Sequence, residues 1–433
     1  MNVVIVGGGT AGWATAAILL LAANKNKAPL SLKVVEPNDI PPIGVGEGSW
    51  PSLMTLLWNI GIRPELADST IKLGVEYQNW YSNQNSKYNR YFHPFLAKWP
   101  VKKNGIDIGS NLSWENFHHQ YSITDPHDFL EENIEKLKVF GLHFDSYKLG
   151  QAFKKRCLLL DNCKTIEGKV KKVNTNKKGI ESIKLDSGIV LKADHFVDCT
   201  GFKKVLIGKL NPEIIDVSGK ILVDTAIVGS IETNDLIKAS YTQALAMSSG
   251  WAWKIPTSKK VSFGYVFSSK FINESKAKKE LLETIKFSSF KTKTITWKPH
   301  YLKNFIIKNC SAVGLSSGFL EPLEAVSINA TTIQASAVAK LLFKNEQKIE
   351  ELNEKNLKGF EGAVDYILLH YIAGKRREKF WRYCRKNIRK PKALLEKAHL
   401  AATRQADHPA WENSPFNIAS WQAVLTGTNS LRD

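Results

Sequence analysis

Apolar and polar positions alternate in a readable way from the first residues. NVVIV (residues 2–6) is an unbroken apolar run that predicts a short buried strand, GGG makes a turn, and TAGWATAAILLLAA predicts a helix of small, apolar residues. LKVVE follows as a second strand that ends in Glu36. Residues 169–201 alternate strand, polar turn, strand, Asp-Ser-Gly turn and strand, and close on DCTGF. GWAWKIP (Gly250–Pro256) places two tryptophans two residues apart, so a strand there turns both rings to one face. Downstream, KNEQKIEELNEKNLKGFEG predicts a charged helix. In Gly374–Lys392, Phe380, Trp381, Cys384 and Ile388 recur at helical spacing on an otherwise basic segment. No internal repeat or low-complexity stretch interrupts the pattern.

Composition narrows this picture. A length of 433 residues suggests two or three domains, or one large nucleotide-binding body with an insertion. Twelve tryptophans are a heavy load; some are expected in packing, but tryptophan also lines sites that grip flat molecules. The net charge of +19 comes mostly from lysines scattered among asparagines and isoleucines, and the basic helix near residue 380 carries no nucleic-acid recognition motif. The five cysteines form no CxxC pair, so neither a disulfide framework nor a metal site is indicated. No apolar run reaches membrane-spanning length, and the N-terminus enters its first strand at once, so a cytoplasmic protein is expected.

The first chemistry lies in the turn. Gly7, Gly9 and Gly12 form G-x-G-x-x-G between strand and helix: a tight turn, a close approach for a pyrophosphate, and close helix–strand packing. The free N–H groups of the new helix face the phosphate, and Glu36 is placed for ribose hydroxyls. The meander returning through Asp198, Thr200 and Gly201 resembles the two-dinucleotide-binding flavoprotein fold. That resemblance implies FAD, with Gly201 against it and a third contact in CSAVGLSSGFLEPLEA. A second glycine fingerprint for NADPH is missing from the sequence, so the chain shows no way to reduce its FAD, and FADH2 from a separate flavin reductase is the expectation.

Four segments together resemble the flavin-dependent tryptophan halogenase family: GGGTAGW (Gly7–Trp13), IGVGEGSWP (Ile43–Pro51), GWAWKIP and SSGFLEPLEA (Ser316–Ala325). The W-x-W-x-I-P string is the most specific of them. The resemblance implies an α/β flavoprotein in which reduced FAD, oxygen and halide give hypohalous acid, which then reaches an aromatic substrate in a separate chamber. It places FAD against Gly7, Gly9, Thr10, Ala11, Gly12, Glu36, Val45, Gly46, Gly201, Gly314, Leu315 and Ile328. Lys72, in STIKLGVEYQNW, is the family's essential lysine, whose ammonium hydrogen-bonds hypohalous acid or is itself halogenated. Glu324 is the catalytic carboxylate, which polarises that acid or takes the ring proton. Glu321 is the competing choice, and an ordinary carboxylate at a helix N-terminus describes it better than Glu324. His93 and Phe95, in YFHPFLAKW, are walls of the aromatic site, although a hydrogen-bonded core histidine and plain packing also account for them. Trp251 and Trp253 separate substrate from flavin, with core packing the other reading of either.

The chain also departs from the family. Where tryptophan-acting members read E-P-L-E-S-T-G, it reads EPLEAVS, with Ala325, Val326 and Ser327. Halide in the family is held by backbone N–H groups of the last two positions, here Val326 and Ser327, so binding survives with an altered preference toward bromide or iodide. The C-terminal region is shorter than the family's amino-acid clamp, which favours an indole, a phenol or a larger aromatic scaffold over free tryptophan. The expected organisation is an FAD body within residues 1–345, assembled from 1–80, 150–215 and 300–345. A substrate sheet inserts at about 216–299, and a helical cap spans 346–433. An oligomer is compatible with this reading. A flavin monooxygenase that hydroxylates an aromatic is the alternative activity, and a flavin-binding protein with a degenerate site is the non-enzymatic one.

Overall fold

The computed structural model describes residues 1–37, 45–82, 89–95, 140–233, 240–286, 290–344, 348–412 and 414–428. Ile43 and Gly44 of the second family segment, and residues 96–99 after Phe95, lie outside them. The strand Asn2–Val6 sits inside a six-stranded sheet, between Ser31–Glu36 and His195–Asp198. Both pairings are parallel. Cys163–Glu167 extends one side, and Cys310–Ala312 with the antiparallel Ile306–Ile307 extends the other. Period-two alternation makes both faces apolar. Val3 and Ile5 pack with the helices Thr10–Lys25, Ser146–Cys157 and Val326–Phe343, while Val4 and Val6 pack under the antiparallel meander of residues 170–191.

A seven-stranded sheet forms the second layer. Its order is 292–296, 225–232, 260–267, 250–256, 242–247, 74–78 and 90–94, all antiparallel except the pairing of Thr242–Met247 with Gly74–Gln78. The sheet expected within 216–299 therefore also takes Gly74–Gln78 and Arg90–Pro94 from the N-terminal part of the chain. A parallel edge pairing between distant segments leaves no local mark, which is why alternation alone did not reveal it. One face of this sheet carries Tyr77, Tyr91, Trp251 and Trp253. It shares a core with the helices Ile349–Ala373, Lys379–Asn387, Lys392–Ala402 and Ile418–Gly427. Phe380, Trp381 and Cys384 are the buried stripe of the basic helix, as their spacing predicts. The other face is covered by Glu274–Ile285 through Ala277 and Leu281.

A small sheet joins the two layers. Gly46–Gly48 and Thr70–Lys72 both pair with Gly141–Asp145, which brings Gly48 opposite His143 and Lys72 opposite Gly141. Among the described residues, no helix is long and apolar enough to cross a membrane.

Candidate functional site

The glycine turn meets its physical requirements position by position. Gly7 has φ +112°, and a side chain there would strike the carbonyl of Cys199. At Gly12 a Cβ would lie 1.8 Å from the Gly7 oxygen, so helix and turn touch as only glycine allows. At Gly9 a Cβ would meet nothing within 4 Å, which leaves an open flank above the N-terminus of Thr10–Lys25. That helix has no acidic residue in its first turn, which suits an anion at its N–H groups.

The other expected cofactor residues gather round this turn. A Cβ on Gly314, at φ +69°, would lie 3.0 Å from the Ala11 methyl. A Cβ on Gly201, at φ +66°, would stand 4.0 Å from that of Leu315. Ile328 is buried in the same helical core. Ser146, which no motif marked, ties two of the segments together. Its carbonyl accepts from Thr10 Oγ1 at 2.7 Å, and its N–H and hydroxyl donate to the Val45 carbonyl at 3.3 and 3.1 Å. Gly46 N–H donates to Ser262 Oγ at 2.8 Å. Glu36 ends its strand beside the turn, where it accepts from the Trp13 indole at 3.0 Å and pairs with Lys154. Asp198 shapes the Gly201 turn by accepting from the N–H groups of Thr200, Leu206 and Ile207 and the hydroxyls of Thr200 and Ser316. A glycine cradle, a charge-free helix end and a nearby carboxylate together fit the pyrophosphate and ribose of FAD.

Lys72 lies away from that turn, 2% exposed. Its ammonium stands 5.1 Å from the centroid of the Phe95 ring. A Cβ on Gly48 would sit 2.9 Å from Nζ, so this glycine makes room for the charge. Burial pulls the Lys72 pKa down to about 8, against a smaller upward pull from Glu324. His143, on the neighbouring strand, is pushed well below its ordinary value by burial and by the Lys72 charge.

Glu324 occupies an irregular turn just before the helix Val326–Phe343. Both Glu324, φ +61°, and Ala325, φ +53°, are left-handed, a conformation side chains disfavour. The Glu324 carbonyl accepts from Trp50 Nε1 at 2.6 Å. Its buried carboxylate takes the Tyr77 hydroxyl on Oε1, with His93 Nδ1 at 2.8 Å and His370 Nε2 at 3.7 Å from the same oxygen. Burial would raise this carboxyl, but His93 and His370 hold it well below the usual range. Glu321, three residues earlier and fully buried, has no such company. Its Oε2 accepts from Trp251 Nε1 at 2.7 Å and from Tyr371 OH at 2.9 Å. Burial pushes it up to about 7 despite those two donors. Glu321 thus faces the sheet and Ile349–Ala373 rather than a helix N-terminus, contrary to the expectation for it.

The structure brings Lys72, Phe95, His93 and Glu324 into one neighbourhood, with Val326 and Ser327 on the first turn of the helix that follows Glu324. Trp251 and Trp253 do share a face, their ring centroids 5.9 Å apart, and both are buried in the sheet–helix core. Trp253 fits because its cross-strand partner is Gly264, where a Cβ would lie 2.1 Å from the indole ring. Sequence reasoning did not single out Gly48, Trp50, Tyr77, His370, Tyr371 or Ser420. Tyr77 had a signal, since Val75 and Tyr77 alternate inward a few residues after Lys72. Helical residues such as His370 had none.

Comparison with known proteins identifies the family. The family model described as tryptophan halogenase matches residues 2–432. The tryptophan 7-halogenase RebH of Lentzea aerocolonigenes is 26% identical over an alignment covering 100% of this chain and 90% of that protein. Among solved structures, the flavin-dependent halogenase Xcc4156 of Xanthomonas campestris is 27% identical with a TM-score of 0.85, covering 99% of this chain and 88% of that one. BrvH, a flavin-dependent halogenase from Brevundimonas sp. BAL3, is 28% identical with a TM-score of 0.81, over 99% and 90% of the two chains. These likenesses support halogenation and not the hydroxylase alternative. The chain belongs to the tryptophan halogenase family and is a flavin-dependent halogenase.

Proposed function

We propose that this enzyme places halogen on an indole- or phenol-like aromatic, with Lys72 presenting hypohalous acid and Glu324 serving as the carboxylate of the substitution. FAD would be held by Gly7, Gly9, Thr10, Ala11, Gly12, Glu36, Val45, Gly46, Gly201, Gly314, Leu315 and Ile328. Reduced by a separate flavin reductase, bound FAD would give its electrons to oxygen, and the oxygen so activated would oxidise halide to hypohalous acid, with water as the other product. The backbone N–H groups of Val326 and Ser327, at the start of a helix, suit the halide. His93, Phe95, Trp251 and Trp253 would border the substrate.

The observation that carries this reading is a buried ammonium and a buried carboxylate in one neighbourhood: burial lowers the Lys72 pKa against an upward pull from Glu324, and His93 and His370 hold Glu324 low against its own burial. An ammonium donates a hydrogen bond to hypohalous acid and fixes the electrophilic halogen in place. The ring carbon then attacks the halogen, the O–halogen bond breaks, the departing hydroxide takes a proton from the Lys72 ammonium and leaves as water, and the ring proton goes to Glu324. This reading needs Lys72 protonated, so product formation falls as pH rises through about 8. A reactive haloamine would need the neutral amine and give the opposite slope.

The test is an aromatic-substrate panel with FAD, a flavin reductase and chloride, bromide or iodide, read by mass spectrometry. Lys72→Ala should still consume reduced flavin and oxygen yet make no halogenated product, and persistence of that product removes Lys72 from the mechanism. Bromide or iodide should outcompete chloride at the Ala325–Val326–Ser327 turn. A strong chloride preference rejects that part.

A further inference from the structure

His93 uses both ring nitrogens within the fold. Nδ1 lies 2.8 Å from Glu324 Oε1, and Nε2 lies 3.0 Å from Ser420 Oγ. The imidazole is therefore the middle of a chain drawn from three segments: strand Arg90–Pro94, the turn at Glu324 and the last helix, Ile418–Gly427. We propose that His93 is a positioning residue for Glu324, keeping that carboxylate ionised and aimed, and that Ser420 in turn holds His93. The inference rests on the reading of Glu324 given above and assigns His93 a task beyond lining an aromatic site.

A carboxylate buried this deeply stays ionised only if donors and positive charge surround it. The groups facing Glu324 come from four elements: Lys72 from its short strand, Tyr77 from Gly74–Gln78, Tyr91 and His93 from Arg90–Pro94, and Tyr366 and His370 from Ile349–Ala373. The phenols are neutral. His370 stands 3.7 Å away, beyond hydrogen-bond length, whereas His93 is within it. Removing His93 leaves the burial and takes away a close donor.

Ser420 is well placed to fix the ring. Its N–H donates to Asn417 Oδ1 at 3.1 Å, and its carbonyl accepts from Tyr366 OH at 3.1 Å. The same serine–histidine–carboxylate order occurs in acyl-transfer enzymes, which also need backbone donors for an oxyanion. Here the serine's own N–H is given to Asn417, and the chain leads inward to Glu324.

The test is the pH dependence of halogenated-product formation, with flavin binding and thermal melting measured on the same variants. His93→Leu should move the acid limb up by about one pH unit or more, with the loss growing as pH falls through that limb and little change in the relative rate above it. The sign follows because Glu324 works ionised, and losing its partner raises its pKa. His93→Gln keeps a neutral donor and should recover part of the shift. Ser420→Ala should shift the limb the same way by less. A uniform loss across pH with the acid limb unmoved, in His93→Leu or, if that variant does not fold, in Ser420→Ala, overturns the inference. Glu324→Gln separates the two readings. If it keeps wild-type activity, the role of Glu324 itself falls, whereas an inactive Glu324→Gln beside unmoved limbs sinks only the role of His93.

Discussion

Glu321 and Glu324 share one four-residue string and comparable burial, yet they carry opposite charge tendencies. Glu321 meets two neutral donors, Trp251 and Tyr371, and burial pushes it up to about 7. Glu324 meets Tyr77, His93 and His370, with Lys72 nearby, and is held low. At Glu321 two neutral donors offset only part of the lost hydration. At Glu324 the two imidazoles tip the balance the other way. The two consecutive left-handed residues at Glu324 and Ala325 separate the two sites by breaking the backbone direction between the EPL segment and the helix. Such conformations cost on the order of 1–3 kcal/mol each and persist where the surroundings hold them, here including the Trp50 bond to the Glu324 carbonyl.

The contrast is most exposed by exchanging each carboxylate for its amide. Glu324→Gln should lower halogenated product by about 100-fold or more, the usual scale for losing a proton acceptor. Glu321→Gln should keep most of the rate, and equal losses would erase the distinction between the two.

Stability gives the next largest effect. Glu321 has a folded pKa raised above its ordinary value, so its contribution to stability is fully present at low pH and is lost as pH rises through about 7. The total lost is on the order of 3 kcal/mol for a group shifted this far. Glu321→Gln cannot ionise, so its melting temperature relative to wild type should be better at pH 8 than at pH 5. A difference independent of pH would mean that Glu321 does not titrate in that range. Smallest of all, Tyr371→Phe removes one donor from Glu321 and should cost about 1 kcal/mol by denaturant unfolding while leaving product formation nearly unchanged. A large loss of product would tie Glu321 to the chemistry after all.

Legibility differed between the two ends of the molecule. Gly7 and Gly12 could be read from sequence because each answers a local need of the backbone that the fold meets, whereas a Cβ on Gly9 would meet only open space. The strand Asn2–Val6, the meander and the basic helix followed from periodicity for the same reason. Trp251 and Trp253 were readable as a pair on one face, but Gly264, which gives Trp253 its space, lies on the next strand and carries no mark of that task. Gly48 is similar, a glycine explained only by the ammonium of Lys72 beside it.

The sequence by itself determined the nucleotide turn, the strand and helix pattern around it, and the motifs through which a family resemblance could be stated. These depend on residues within a few positions of one another, where covalent connection already sets the geometry. Only the tertiary structure decided which carboxylate lies between two imidazoles and is held ionised. Tyr77, His93, His370 and Ser420 reach the Glu324 neighbourhood from separate strands and helices. Charge and desolvation act through space, so the character of an ionisable group is fixed by whatever the fold packs against it.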